Sequence, residues 1–304
     1  MASNTSVLIL GLGELGTAVV HALTAHPQRG LNTIAILRRP GTLSTSDPVR
    51  QAEISQLESL GASTPAGDIL EDSESELSAL FAPFDTIIGC TGMYFPTGIQ
   101  LKLARAVLGA NVRRYLPWQF GVDYDAIGRG SSQDLFSEQL GVRDLLRQQS
   151  ATEWTVVSTG IFMSFLFEPA FGVVDEDRKV VRALGDWQNR VTVTTVQDIG
   201  LVVAELIWVA PNVYGVIYVS GDTVSYEQVA DLVQMIQGKK TEREQWTVES
   251  LKEELAKDPS NGMKKYRVVF AEGRGVAWDQ DVTFNEKRGI KLQDVESWAV
   301  ERFR

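Results

Sequence analysis

Ser6-Val7-Leu8-Ile9-Leu10-Gly11-Leu12-Gly13-Glu14-Leu15-Gly16 is the stretch whose reading decides the fold, together with the segment from Thr17 to Arg39 that follows it. Val7 to Leu10 is a short apolar run of the kind a buried parallel strand needs. Gly11 to Gly16 then spells G-x-G-x-x-G. Thr17 to Ala25 is apolar at helical spacing, and Asn32 to Leu37 is a second β-branched run. The glycines thus sit in the strand-turn-helix-strand context that a dinucleotide-binding turn requires. A tight turn at Gly11, approach of a diphosphate to bare backbone near Gly13, and close helix-on-strand packing at Gly16 each call for a missing Cβ. The helix opening at Glu14, Leu15 and Gly16 would present free N–H groups and a partial positive charge to the phosphates, so Gly11, Leu12, Gly13, Glu14, Leu15 and Gly16 are all expected against the ligand.

The end of the second strand selects the coenzyme. An NAD site usually places a carboxylate there to accept from the ribose 2′-hydroxyl, whereas this chain carries Arg38 and Arg39. A guanidinium fork suits a 2′-phosphate and accepts nothing, so NADP(H) is favoured over NAD(H).

The chain has 304 residues, 44% hydrophobic and 22% charged, enough for one large domain or a domain with a companion lobe. Its net charge of −10 argues against general binding of nucleic acid or anionic membranes. The single cysteine, Cys90, cannot close an intrachain disulfide and fits a reducing compartment. Two histidines, His21 and His26, are too few and too poorly accompanied for a metal site, so no metal is expected. No apolar run reaches the length of a membrane span or of a secretory h-region, which makes the cytoplasm the expected location. Oligomerisation is left open.

Further strands are expected at Phe84 to Cys90, Val112 to Leu116 and Glu153 to Val157, with helices at Val49 to Leu60, Ser73 to Leu80, Gln100 to Leu108 and Leu135 to Gln148. This alternation implies an α/β fold, a Rossmann-type doubly wound parallel sheet with a smaller α+β substrate lobe. Residues 1–157 are assigned to the dinucleotide domain, with 191–220 returning to it, and 158–304 mostly to the substrate lobe. Lys239 to Asn261 reads as mostly helical, and Arg267 to Arg304 as short strands with a terminal helix. Ligands sit at the carboxyl ends of parallel strands, which puts Thr91, Gly92 and Met93 on the coenzyme cleft; Gln119, Phe120, Gly160 and Phe162, further along the chain, are also assigned to the coenzyme. Tyr94, Trp118, Met163 and Phe165 are placed on the substrate, the last two in a segment crowded with phenylalanine that reads equally well as pocket wall or plain core.

At Arg114-Tyr115-Leu116-Pro117-Trp118-Gln119-Phe120-Gly121 the chain resembles the NmrA-like and isoflavone-reductase-like family of atypical short-chain dehydrogenases, which shows Phe-Leu-Pro-Ser-Glu-Phe-Gly at this strand end. The glycine turn, the arginine after the second strand, Gly67-Asp68 and the segment after Val157 match as well. Gly275-Val276-Ala277-Trp278 with Thr283-Phe284-Asn285 is similar to the fungal branch. The resemblance implies NADPH binding and reduction of conjugated or benzylic positions of aromatic secondary metabolites; some members are non-catalytic regulators that sense the dinucleotide. Two departures bear on chemistry. The lysine that serves the plant reductases, placed by its spacing to Val142-Arg143, is matched by Gln139, and no lysine occurs between Lys102 and Lys179. The signature glutamate is Gln119. A glutamine amide orients a carbonyl or ribose but cannot donate a proton as an ammonium can. No tyrosine is followed four residues later by lysine, so the other short-chain dehydrogenase acid is missing too. Tyr124, after the signature turn, is the first candidate proton donor, ahead of Asp123, Tyr94 and water, and Gln139 the candidate orienting group.

The expected activity is NADPH-dependent reduction of a small, largely apolar, aromatic or polyketide-like metabolite at an activated C=C, C=N or benzylic position. The alternatives are an NADP(H)-sensing regulator that docks on a protein partner, and a redox-neutral cyclase or isomerase in which the nucleotide is structural.

Overall fold

The structure, a computed structural model, describes residues 5–44, 46–92 and 95–303, with only the backbone of Arg50. Its first half is built by βα units. β1 (Ser6–Leu10) and β2 (Thr33–Leu37) pair in parallel across α1 (Glu14–Ala25), and Val7, Leu8, Ile9 and Leu10 are fully buried. The expected loop after Arg39 contains a one-turn helix, α2 (Pro40–Leu43). α3 (Pro48–Ser59) follows, started by Asp47, which accepts from Val49 N, and by a proline in its first turn. β3 (Ala62–Ser63) is a two-residue edge strand. α4 (Glu74–Phe81) opens with a reciprocal capping box between Ser73 and Glu76. β4 (Thr86–Gly89), α5 (Ile99–Gly109), β5 (Arg114–Leu116), α6 (Tyr124–Ile127), α7 (Asp134–Arg147) and β6 (Glu153–Ser158) continue the alternation.

Beyond them lie β7 (Ile161–Phe162), α8 (Met163–Leu166), β8 (Val180–Leu184), β9 (Arg190–Thr194), α9 (Val196–Trp208), β10 (Gly215–Tyr218), β11 (Asp222–Ser225) and α10 (Tyr226–Gln237). The chain ends with β12 (Glu242–Trp246), α11 (Val248–Lys257), α12 (Gly262–Glu272), α13 (Phe284–Lys287) and α14 (Val295–Phe303). Seven strands form the main sheet in the order β10-β6-β5-β4-β1-β2-β3. The pairings β3 to β2, β2 to β1, β1 to β4, β4 to β5 and β5 to β6 are parallel. β1 lies between β2 and β4, so the winding reverses there, and the crevice outside the carboxyl ends of β1 and β4 is where a doubly wound sheet takes its ligand.

The chain divides into two compact units. The first comprises residues 1–119, 141–156 and 199–216; the second comprises 120–140, 157–198 and 217–304. This differs from the expected division in two places. Residues 120–140 leave the dinucleotide unit. The returning segment is 199–216 rather than 191–220, because β9 joins a separate sheet of order β11-β9-β7. Lys239 to Asn261 is not mostly helical, since Glu242–Trp246 pairs in parallel with β8. Among the described residues, 267–303 contains helices and no strand.

In the first unit, Leu8, Leu10, Ile87, Leu103, Val107, Tyr115 and Leu146 fill one continuous apolar core. The returning helix is held there by three contacts. Gly200 has no Cβ, and one would stand 2.6 Å from Ala18 O of α1. Trp208 Nε1 donates to Leu23 O at 3.2 Å. The buried Arg114 guanidinium donates to Leu206 O (2.9 Å), Val213 O (3.2 Å) and Thr155 Oγ1 (3.2 Å). Burial pulls the Arg114 pKa down to about 10, a cost that those acceptors offset. The second unit has its own core, with Phe136, Met163, Phe171, Val193, Tyr226 and Phe270 among its buried members.

Candidate dinucleotide site

The glycine turn is shaped as its spacing predicts. Gly11 has φ +100°, and a Cβ on it would lie 2.8 Å from Thr91 Cγ2. A Cβ on Gly16 would lie 2.1 Å from Gly11 O, so only glycine lets α1 start that close to the turn. Gly13 differs: it is exposed, caps α1, and has no atom within 4 Å of its missing Cβ. Open space over Gly13 lies beside the first N–H groups of α1, an arrangement able to accept an anion. Leu12 is half-buried, Glu14 exposed and Leu15 buried, so of the three only Leu15 belongs to the core. Thr91, 4% exposed, has a buried hydroxyl with no hydrogen-bond partner. A dinucleotide fits both features, since it needs bare backbone and polar groups left free for it.

Arg38 sits at the tip of β2. Its N–H donates to Pro65 O and its carbonyl accepts from Gly67 N (3.0 and 2.9 Å), which fixes the backbone from which the guanidinium projects. The side chain is 11% exposed, one terminal nitrogen lies 2.6 Å from Glu53 Oε2, and Nε is buried without an acceptor. Arg39 is half-exposed, its Nε 3.5 Å from Asp68 Oδ2. Glu53 carries no signal in the sequence, because only the seating of α3 beside β2 brings it to the arginine.

At the end of β4, Gly89 gives way to Trp118, whose N would be 2.8 Å from a Cβ there. The indole lies along Gly92, with Cζ2, Cε2 and Nε1 at 3.3 to 3.5 Å from where a Cβ would be. Gln100 Nε2 donates to Thr91 O at 3.1 Å and so holds the strand end in place. Met93 and Tyr94, expected here, lie outside the described residues. Gln119 is buried, and its Oε1 accepts from Nε of the fully buried Arg143 at 2.8 Å. Gln100 carries no assigned role in the sequence, where Arg143 serves only as the spacing reference for Gln139; the i,i+4 spacing of Gln139 and Arg143 on one helix is the available hint. Cys90 is buried, and desolvation pushes its thiol far above the usual range, which leaves it inert.

The remaining expected residues belong to the second unit. Phe120 is buried. Tyr124 opens α6, is 4% exposed, and packs its ring 4.8 Å from Phe136. A Cβ on Gly121 would fall 2.6 Å from the Tyr124 hydroxyl. Asp123, the other acid candidate, is occupied: Oδ1 caps α6 through Asp125 N and Ala126 N, and Oδ2 accepts from the Tyr218 hydroxyl at 2.7 Å. Gln139 is fully buried in α7. Gly160 has φ +72°, and a Cβ would lie 1.9 Å from Thr192 O, so packing against β9 demands this glycine whatever else it does. Met163 is fully buried in the core, while Phe162 and Phe165 are half-buried. Phe165 stands 4.8 Å from Phe171 and 5.9 Å from Tyr266, and Tyr266 is 5.8 Å from Phe136. An aromatic row thus runs from Tyr124 to Phe171. Among the described residues, no group of three or more His, Cys, Asp or Glu side chains could hold a metal, and no helix is long and apolar enough to cross a membrane.

Sheet order, glycine turn and crevice define the chain as a Rossmann-type dinucleotide-fold protein. It belongs to the NmrA-like family, which it matches over residues 3–298. It is 47% identical, over 94% of both chains, to an NmrA-like family domain-containing oxidoreductase of Gibberella moniliformis. Among solved structures it is similar to isoflavone reductase (TM-score 0.80, 20% identity, 99% of this chain and 100% of that one). A leucoanthocyanidin reductase from Vitis vinifera in complex with NADPH is similar too (TM-score 0.78, 19% identity, 98% and 99% of the two chains).

Proposed function

We propose that this protein is an NADP(H)-dependent oxidoreductase that reduces a small, largely apolar, aromatic or polyketide-like secondary metabolite at an activated C=C, C=N or benzylic position. The observation that carries the reading is the pairing of open space over Gly13 with a guanidinium at the tip of β2 whose Nε is buried without an acceptor. Family membership and the oxidoreductase name of the fungal relative support it.

Gly11 to Gly16 seat the diphosphate, and Thr91 offers its hydroxyl at the strand end. Arg38 takes the 2′-phosphate, with Arg39 at the rim. Trp118, lying along Gly92, covers the nicotinamide end and gives a flat substrate a flat wall. Bound there, NADPH supplies the hydride. Gln139 orients the acceptor through its amide, and Tyr124 is the residue that holds a proton, with solvent sufficient for a strongly activated acceptor. Phe165 lies on the apolar substrate. Since Met163 is fully buried in the core, its part is to support that wall.

A second reading, an NADP(H)-sensing regulator, draws on the burial of both Tyr124 and Gln139. Adding NADPH to the purified protein with aromatic enones, quinones and imines, while following nicotinamide absorbance, tests the two. Turnover of any class supports the reductase; tight NADP(H) binding with none supports the sensor.

A further inference from the structure

The two arginines that suit a 2′-phosphate are each met by a carboxylate. The two pairs differ. Asp68 is tied into its own turn, with Oδ1 accepting from Leu70 N, and lies 3.5 Å from Arg39. Glu53 projects from α3, and its Oε2 sits 2.6 Å from Arg38. The glutamate is 40% exposed while the arginine is only 11% exposed, so Glu53 is a wet carboxylate bonded to a nearly buried guanidinium. Two consequences follow. Glu53 takes one of the donors that a phosphate would use and cancels the positive charge that would attract it. Its second oxygen is also a carboxylate acceptor close to where the adenine ribose lies in this fold, the chemistry by which such sites hold an unphosphorylated 2′-hydroxyl.

We propose that Glu53 sets coenzyme selectivity: it positions Arg38 and weakens the preference for a phosphorylated over an unphosphorylated adenine ribose. The proposal rests on the reading that a dinucleotide binds at this turn. A phosphate dianion entering beside Arg38 gains from Nε, which is buried without an acceptor, and loses to the facing carboxylate. A ribose hydroxyl meets no such repulsion. The site therefore discriminates less than two arginines in sequence imply.

The test is titration of the whole protein with NADP+, NAD+, adenosine 2′,5′-bisphosphate and 5′-AMP, followed by tryptophan fluorescence or calorimetry. Parent, Glu53→Gln and Arg38→Met are compared. Glutamine keeps an oxygen for the arginine and removes the charge, so the guanidinium stays in place. The expected result is a gain of about fivefold for the two 2′-phosphorylated ligands, little change or a loss for the other two, and a gain that shrinks as salt is added. An unchanged or lowered ratio of NADP+ to NAD+ affinity in Glu53→Gln overturns the proposal. Arg38→Met separates that failure from the failure of the coenzyme assignment. If it abolishes the 2′-phosphate preference while Glu53→Gln is silent, Arg38 keeps its role and Glu53 loses the one proposed. If Arg38→Met leaves ligand affinities untouched, both fall.

Discussion

At the scale of single residues, Gly13 and Gly16 look alike in the sequence and differ in what surrounds them. A methyl group at 13 enters open space, whereas one at 16 strikes the carbonyl of Gly11. Gly13→Ala should leave the melting temperature nearly unchanged while weakening dinucleotide binding at least tenfold. Gly16→Ala should cost about 1–3 kcal/mol of stability as well. Thermal melts with and without NADP+ separate the two effects; a Gly13→Ala variant stabilised by NADP+ as much as the parent would mean that the space above Gly13 is not where a ligand rests. Both glycines were legible in the motif, and so was Arg38. Glu53 was not: it is fifteen positions along the chain from its partner, and no local period connects them. Tyr124 is legible only as the tyrosine that follows the Gln119-to-Gly121 turn; its burial depends on Phe136 of another helix.

Among the elements, the returning helix carries two tests. Arg114→Met removes the donors to Leu206 O and Val213 O and should lower unfolding stability by about 1.5–3 kcal/mol, read from the urea midpoint. At the start of the same helix, Asp198 accepts from Thr195 Oγ1 and from Gln293 N, yet burial raises its pKa above the ordinary carboxylate value. The folded state therefore keeps that proton to higher pH than the unfolded chain does, and ionisation of Asp198 lowers stability as pH rises through the folded pKa. Asp198→Asn should remove this contribution, so that the variant's melting temperature relative to the parent is higher at neutral pH than near pH 4. A difference independent of pH would show that Asp198 ionises as freely in the folded state as in the unfolded one. The apolar helix at 196–208 was visible in the sequence, but which strands belong with it was not. Arg190–Thr194 has the alternation of any half-buried strand, and only its partners β11 and β7 assign it to a second sheet. Glu242–Trp246 was hidden for a similar reason: its charged residues read as a solvated helix until β8 supplied the ladder.

For the whole molecule, coenzyme binding should appear as stability. A ligand at about a hundred times its dissociation constant adds ~2.7 kcal/mol to the state that binds it. NADP+ should therefore raise the melting temperature by several degrees, and NAD+ at equal concentration by less. Identical shifts would remove the 2′-phosphate from the account of Arg38. What the amino-acid sequence determined alone was the doubly wound class and the dinucleotide turn, because apolar runs, helical periodicity and glycine spacing are local properties that any segment carries with it. What only the tertiary structure decided was where the two units divide, which side chains face the arginines, and that the candidate acid and its glutamine companion are buried. Those depend on residues far apart in the chain being packed together, and burial, ion pairing and the loss of water around a group exist only once that packing is made.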